Sequence, residues 1–294
     1  MGAHRPREVA MAPATEALAV SHGPYRLHAE ITPGPGAPAV LMHGFPDSSR
    51  LYDRLLPHLE GRLPVVRFDF LGWGRSDKPC GHAYTVAQQV DDLAAVADAL
   101  AAGRTARRLV LVAHDASGPP AIDWALEHPD RVARLVLLNT YYHWTPALRR
   151  PPAIALYSTP LLRSAARAVA RRRPGLDRRL YAWQVGRFIS DPEVREAYVE
   201  RLYAQYPAAR PAYWGLNDEL LHAVLSRRRR IPEMREFQPP VRVVFGTRDR
   251  WLNTRVARQF SVIFPHSELR LLMRAGHYVQ VDEPERVADA ITAP

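Results

Sequence analysis

Apolar residues follow two different spacings along the chain, and their alternation predicts a sheet covered by helices. Short apolar runs such as Ala39–Met42 and Leu109–Val112 end in turn residues, as buried strands do. Val86–Leu100 instead carries its apolar residues at helical spacing. Because strands and helices alternate, we expect a mostly parallel central sheet with helices on both faces, which is an α/β fold.

The same reasoning assigns the remaining elements. The predicted strands are Leu18–Val20 and Tyr25–Ile31 in a hairpin, Ala39–Met42, Val65–Phe68, Leu109–Val112, Val132–Leu138, Val241–Phe245 and Leu269–Leu272. The predicted helices are Ser48–Leu59, Val86–Leu100, Ala121–His128, Thr254–Phe264 and Pro284–Ile291.

The alternation stops between residues 141 and 240, where the sequence has helical segments and many prolines but no convincing strand. Asp191 followed by Pro192 predicts the start of one helix, because Asp caps helices and proline is tolerated in the first turn. We therefore expect a core of residues 15–140 and 241–294 with an inserted helical cap, residues 141–240. Residues 1–14 lack the apolar stretch of a secretory signal and are predicted to form a flexible tail.

Positive charge is concentrated in the expected cap. The formal net charge of the chain is +10, and residues 149–235 contain 18 arginines but only eight acids. Such a surface attracts anions, so an anionic substrate is one interpretation, and a compositional bias with a solvated surface is the simpler one. The clusters Arg171–Arg173 and Arg227–Arg230 have no nucleic-acid-binding motif beside them, so we expect no nucleic-acid partner.

Composition also limits the location. No run of about 18 uncharged apolar residues is present, so we expect no membrane partner. Cys80 is the single cysteine, which excludes an internal disulfide and fits a reducing compartment. We therefore expect a cytoplasmic protein, and its oligomeric state stays open.

Asp115 is the first candidate for chemistry, since ligands of parallel sheets bind beyond the carboxyl ends of the strands. It follows a predicted strand, with the small residues Ala113 and Ser117 two positions away on either side, and this pattern is typical of a nucleophile elbow. The adjacent helix N-terminus would favour the ionised carboxylate. Two alternatives are that Asp115 only caps the helix, or that Ser117 is the nucleophile, although its register places it inside the helix.

Asp249 and His277 follow the last two predicted strands. Together with Asp115 they give the chain order nucleophile, acid, histidine that is expected of a triad on such a sheet. A loop Asp or His is usually solvated when it occurs alone, so the prediction depends on the three residues occurring in this order at strand ends.

Five short motifs resemble those of the α/β-hydrolase superfamily, and within it the epoxide hydrolase and haloalkane dehalogenase branch. They are His43–Pro46, Asp69–Pro79, His114–Asp115, Gly246–Asp249 and Gly276–His277. The resemblance spans residues 40–282 and places the predicted cap where that branch carries its own cap. It implies an α/β-hydrolase fold.

The resemblance also implies roles. Asp115 would be the nucleophile that forms a covalent alkyl ester, His277 the base that activates water, and Asp249 the acid that orients it. The backbone N–H groups of Phe45 and Ala116 would form the oxyanion hole. No cofactor and no metal are expected.

The chain departs from the branch in ways that favour one activity. Haloalkane dehalogenases hold the halide with a Trp after the nucleophile and a second donor, where this chain has Ala116 and Phe45. Epoxide hydrolases need a cap tyrosine as acid, and by position Tyr157 and Tyr213 are the best candidates. We therefore predict an epoxide hydrolase that gives a vicinal diol from a small-molecule substrate. The alternatives are a haloalkane dehalogenase or other α/β-hydrolase, or a non-catalytic ligand-binding or biosynthetic partner protein.

Overall fold

Eight strands form one sheet in the order β1-β2-β4-β3-β5-β6-β7-β8 in a computed structural model, which describes residues 15–103 and 107–293. The tail expected over residues 1–14 lies outside the described residues. The strands are β1 (Glu16–His22), β2 (Tyr25–Thr32), β3 (Ala39–Met42), β4 (Val65–Phe68), β5 (Leu109–Asp115), β6 (Val132–Thr140), β7 (Val241–Gly246) and β8 (Ser267–Leu272).

The sheet is mostly parallel, as predicted. β1 pairs with β2 and β2 with β4 in antiparallel fashion, while the pairs from β4 through β8 are parallel. All four residues of β3 are fully buried, because helices cover both faces of the centre of the sheet. The carboxyl ends of β3, β5, β6, β7 and β8 therefore meet at one edge.

The helices are named in chain order. They are α1 (Leu56–Leu59), α2 (Val86–Ala102), α3 (Gly118–Glu127), α4 (Pro152–Ser158), α5 (Pro160–Arg172), α6 (Pro174–Val185), α7 (Pro192–Tyr203), α8 (Tyr206–Ser226), α9 (Ile231–Glu236), α10 (Thr254–Ile263), α11 (Val279–Asp282) and α12 (Pro284–Thr292). Short 3₁₀ turns occur at Ser49–Tyr52, Pro129–Arg131 and Arg227–Arg230.

Two helix predictions differ from the structure. The single helix expected over Ser48–Leu59 is a 3₁₀ turn followed by the short α1, because Pro57 cannot sit in a helix interior and here occupies its first turn. Helix α3 begins three residues earlier than expected, at Gly118, since Pro119 and Pro120 are also tolerated in a first turn.

Helices α4 to α9 lie between β6 and β7, where the cap was expected. Asp191 accepts a hydrogen bond of 3.0 Å from the backbone N–H of Glu193, which confirms the predicted start of α7. Arg227 and Arg230 fix the end of this segment to helix α3 through ion pairs of 2.5 and 3.1 Å with Asp123. Within the described ranges, every helix is too short or too polar to cross a membrane.

Candidate active site

The turn from β5 to α3 places Asp115 at its tip. Asp115 is the last residue of β5 and has a φ of 49°, a left-handed conformation that is unfavourable for a residue with a side chain. The facing loop comes so close at Gly44 that a Cβ atom there would lie 2.6 Å from the Cβ of Asp115. The turn therefore has the strained geometry of a nucleophile elbow.

Ser117 lies beside this turn but faces away from it. Its side chain is fully buried, and its Oγ lies 2.8 Å from the carbonyl oxygen of Met42 and accepts a 2.8 Å hydrogen bond from the N–H of His114. Ser117 is also the residue that directly precedes α3, so Asp115 is not the cap of that helix. Of the residues in the elbow, the geometry presents the carboxylate of Asp115 for chemistry.

Two backbone N–H groups point at this carboxylate. The N–H of Phe45 lies 3.4 Å from Oδ2 of Asp115, and the N–H of Ala116 also donates to the carboxylate. Burial raises the pKa of Asp115, while the charge of His277 and these two N–H groups act in the opposite direction. The predicted oxyanion-hole residues are thus next to the predicted nucleophile. The Phe45–Pro46 peptide bond is cis.

His277 stands between the two carboxylates. Its Nδ1 lies 2.7 Å from Oδ2 of Asp249, and its Nε2 lies 3.8 Å from Oδ1 of Asp115. The first distance is a hydrogen bond and the second is a contact without one. Burial by itself lowers the pKa of His277, but the carboxylate of Asp249 raises it to about 9. The three predicted triad residues therefore lie together, with the ring oriented by Asp249 towards Asp115.

Asn139, which no sequence motif revealed, holds Asp249 in place. The side chain of Asn139 donates 2.8 Å to Oδ2 of Asp249 and accepts 2.8 Å from the N–H of Gly246, so it links β6 to β7. Like Asp115, Asn139 has a positive φ, of 31°. The signal that could have revealed it is a polar residue near the end of a buried strand.

Asp47 is a second residue missed by the sequence analysis. It is buried, and one of its oxygens accepts a 2.7 Å hydrogen bond from the hydroxyl of Tyr278, the neighbour of His277. Burial raises the pKa of Asp47 to about 7. This bond connects the loop that carries Phe45 with the loop that carries His277, so it fixes the oxyanion hole relative to the base.

Asp115 and His277 form part of the lining of a cavity of about 130 Å³. Its walls are largely apolar, and its exposed rim includes Arg149 and Arg150. Tyr141, the residue after β6, also lines it. The cavity can hold an apolar substrate against the carboxylate, with positive charge at the entrance.

Tyr157 and Tyr213, the predicted cap acids, lie beside the cavity that contains Asp115. Both line a second cavity of about 140 Å³, and neither lines the cavity that contains Asp115. The rings of Tyr157 and Tyr213 meet edge to face with centroids 5.4 Å apart, and Tyr213 packs 5.7 Å from Phe45. In this conformation their rings pack against each other and the ring of Tyr213 packs against Phe45. Burial raises the pKa of Tyr213, and the negative charge of Asp115 contributes to this rise.

A metal centre has no visible basis in the described ranges, since no cluster of three or more His, Cys, Asp or Glu side chains is arranged to hold an ion.

The chain matches the alpha/beta hydrolase family over residues 39–290, which is most of its length. It belongs to this family. Among its relatives, haloalkane dehalogenase 2 of Mycobacterium tuberculosis is 28% identical over 272 residues, or 90% of each chain. The cis-3-alkyl-4-alkyloxetan-2-one decarboxylase of Shewanella oneidensis is 38% identical over 112 residues, which span 37% of this hydrolase and 34% of that protein.

Solved structures agree with this fold. Cfl2 from Burkholderia cenocepacia superposes with a TM-score of 0.79 at 21% identity, covering 96% of both chains. The 2-hydroxy-6-oxo-6-phenylhexa-2,4-dienoate hydrolase from a Rhodococcus strain gives 0.77 at 19% identity, covering 93% of this chain and 96% of its own. At these identities the similarity establishes the fold, and the dehalogenase relative supports the branch.

Proposed function

We propose that this α/β hydrolase is an epoxide hydrolase that works through an ester on Asp115. The observation that carries the proposal is a carboxylate at the tip of the elbow, 3.8 Å from a histidine that is itself bonded to Asp249. A carboxylate is already a nucleophile when ionised, so the histidine is not needed to activate it. It is free to act on water in a second step.

The two steps follow from this arrangement. In the first, Asp115 attacks an epoxide carbon, the ring C–O bond breaks, and the oxygen takes a proton from an acid. In the second, His277 removes a proton from a water molecule that attacks the ester carbonyl, and the diol leaves. The N–H groups of Phe45 and Ala116 stabilise the tetrahedral oxyanion of that step, and losing one such donor commonly costs about 3 kcal/mol.

The residue after the nucleophile favours epoxides over alkyl halides. Ala116 has no side-chain donor for a departing halide, whereas in an epoxide the oxygen remains attached to the substrate. The similarity to a haloalkane dehalogenase keeps dehalogenation as the second candidate. The oxetan-2-one named for the other relative is also a strained ring whose oxygen stays attached when one C–O bond breaks, so it belongs in the substrate panel.

The lining of the cavity supports one class of substrate. Apolar walls and a rim with Arg149 and Arg150 fit an apolar epoxide that carries an anionic group at its far end. We place the reaction in the cytoplasm, because the single cysteine, Cys80, is exposed and free. A purely ligand-binding role is less well supported, since it would not need the His277–Asp249 pair.

Trapping the ester tests this proposal. The variant His277→Gln should accumulate a substrate-sized mass increase when it is incubated with an apolar epoxide, because attack proceeds and hydrolysis of the ester does not. Peptide mapping should place the increase on Asp115. The matched control His277→Gln with Asp115→Asn should stay unmodified.

The products of the wild-type enzyme separate the alternatives. Diol formation supports the proposal, whereas halide release without diol formation favours a dehalogenase. Turnover of an oxetan-2-one alone would assign the same nucleophile to a different ring. An adduct on Ser117, or tight ligand binding without turnover of any panel member, would overturn it.

A further inference from the structure

Tyr141 shares the cavity of Asp115 and His277. Among the residues that the structure describes, it is the tyrosine in that lining, since Tyr157 and Tyr213 line the neighbouring cavity. A hydroxyl that protonates the epoxide oxygen must reach the same space as the nucleophile, because proton transfer needs hydrogen-bond distance. Of these three tyrosines, Tyr141 is therefore the one that lines the same cavity as the nucleophile.

We propose that Tyr141 is the acid that protonates the epoxide oxygen as the ring opens. This inference rests on the proposed function and assigns its missing proton donor. It moves that donor from the cap helices to the end of a core strand.

The core sets the position of Tyr141 relative to the nucleophile. Strands β5 and β6 are paired so that Asp115 lies opposite Thr140, and the hydroxyl of Thr140 donates to the carbonyl oxygen of Asp115. The first residue of α3 touches the same segment, because a Cβ atom at Gly118 would lie 2.7 Å from the carbonyl oxygen of Tyr141. The backbone of Tyr141 is thus held from both sides of the elbow by core elements, so its side chain starts from a fixed position beside the nucleophile.

The hydroxyl of Tyr141 is free for this role. The side chain is 8% exposed, and the described residues offer its hydroxyl no hydrogen-bond partner. The next tyrosine is different, because the hydroxyl of Tyr142 donates 2.7 Å to Asp123. Tyr142 therefore provides a natural control one residue away.

The charges around Tyr141 favour release of its hydroxyl proton as the epoxide ring opens. Burial raises the pKa of Tyr141 well above its usual value, and the negative charge of Asp115 raises it further. The free enzyme therefore keeps the proton on Tyr141. When Asp115 becomes an ester its charge disappears, and its hold on this proton weakens while the epoxide oxygen gains negative charge.

The reaction balances without any co-reactant other than water. A carboxylate oxygen of Asp115 bonds to the epoxide carbon, the electron pair of the broken C–O bond goes to the oxygen, and the proton of Tyr141 joins it. The tyrosinate that remains takes a proton from solvent before the second step, and hydrolysis of the ester, through His277, returns one proton to solvent. The sum is addition of one water to one epoxide.

Single-turnover kinetics test the assignment. Quenched samples of wild type and of Tyr141→Phe are analysed by intact mass for the ester on Asp115. General acid catalysis contributes about 10²–10⁴-fold, so ester formation should slow by about that factor in Tyr141→Phe. Hydrolysis of the ester should keep its rate, which a general loss of structure would not allow. Tyr142→Phe should match wild type in both steps.

The other outcomes are decisive as well. Normal ester formation in Tyr141→Phe, with a slow step in Tyr157→Phe or Tyr213→Phe, would overturn this inference and leave the proposed function standing. If wild type forms no ester and no diol from any epoxide, the proposed function fails and the inference fails with it. Should Tyr141→Phe not fold, replacement of Tyr141 by the more acidic 3-fluorotyrosine should change the rate of ester formation, and the same replacement at Tyr142 should not.

Discussion

Replacing Asn139 tests how the acid of the triad is held. This fully buried side chain makes two hydrogen bonds of 2.8 Å, one to Asp249 and one from the N–H of Gly246. The variant Asn139→Gly removes both bonds and tolerates the φ of 31°. The variant Asn139→Ala removes the same bonds but keeps the Cβ atom, which this φ disfavours.

The expected loss follows from these contacts. A hydrogen bond to a charged group contributes about 1.5–3 kcal/mol, and a buried N–H left without a partner costs about 1–3 kcal/mol. We therefore expect Asn139→Gly to lower the free energy of unfolding by about 2.5–6 kcal/mol. The left-handed backbone costs a non-glycine residue about 1–2 kcal/mol. The lower entropy of unfolded alanine offsets about 0.4–1 kcal/mol of that cost. Asn139→Ala should thus be the less stable variant by up to about 1.6 kcal/mol.

Urea unfolding followed by circular dichroism measures this loss, and single-turnover kinetics measures its effect on chemistry. Hydrolysis of the ester should slow more than its formation, because Asp249 acts through His277 on the second step. Asn253→Ala is the matched control. Asn253 caps α10 by accepting a 3.0 Å bond from the N–H of Arg255, and its side chain also donates 2.9 Å to the carbonyl oxygen of Ala147. Loss of both bonds should cost about 2 kcal/mol and leave both steps unchanged.

The reasoning would be refuted by an Asn139→Gly protein that unfolds within about 0.5 kcal/mol of wild type, the scatter of ordinary surface changes. It would also be refuted if ester formation slowed as much as ester hydrolysis. That result would mean that Asn139 shapes the whole site and does not act through Asp249.

Three further predictions concern other parts of the site. Ester hydrolysis needs neutral His277, whose pKa is about 9 in the free enzyme partly because of the charge of Asp115. The ester lacks that charge, so the rate of ester hydrolysis should rise with pH to a midpoint below 9. A single-turnover rate that falls with pH would contradict this. Arg149→Gln should raise the KM for a carboxylate-bearing epoxide by about two- to fivefold and leave the KM for its methyl ester unchanged. The control Arg172→Gln should change neither KM. Ser117→Ala should lower the free energy of unfolding by about 1–3 kcal/mol in urea and still form the ester on Asp115; loss of the ester would argue for a serine nucleophile.

The sheet was predictable because each strand has a local signature in the sequence, a short run or alternation of apolar residues. Strand β3 has the bounds that its apolar run predicted. Strand β5 begins where it was predicted and ends three residues later, at Asp115. The prediction was wrong for Ser48–Leu59, where apolar spacing alone favoured one helix. There the competing effect was Pro57, which limits the helix to a short segment that starts next to it.

Within the site, chain order was enough to predict that Asp115, Asp249 and His277 lie together. Each lies at or after the end of a parallel strand, and these strands end at the same edge of the sheet. Asn139 could not be found in this way, since its partners lie 107 and 110 residues away along the chain and meet it only across β6 and β7. The tyrosines posed a similar problem. Whether Tyr157 or Tyr213 lines the cavity of Asp115 depends on how the helices between β6 and β7 pack, and that packing has no local signature in the sequence.

The three reacting side chains all lie on the core sheet, and this affects substrate specificity. Asp115, Asp249 and His277 stand on strand ends of the core, and the loops that carry them approach closely: a Cβ atom at Gly246 would lie 2.1 Å from the carbonyl oxygen of Gly276. Such contacts leave no room for adjustment. The segment between β6 and β7 supplies much of the wall and the charged rim of the cavity, but none of these three groups. Substitutions in its helices should therefore change which substrate binds while the ester-forming and ester-cleaving steps keep their geometry.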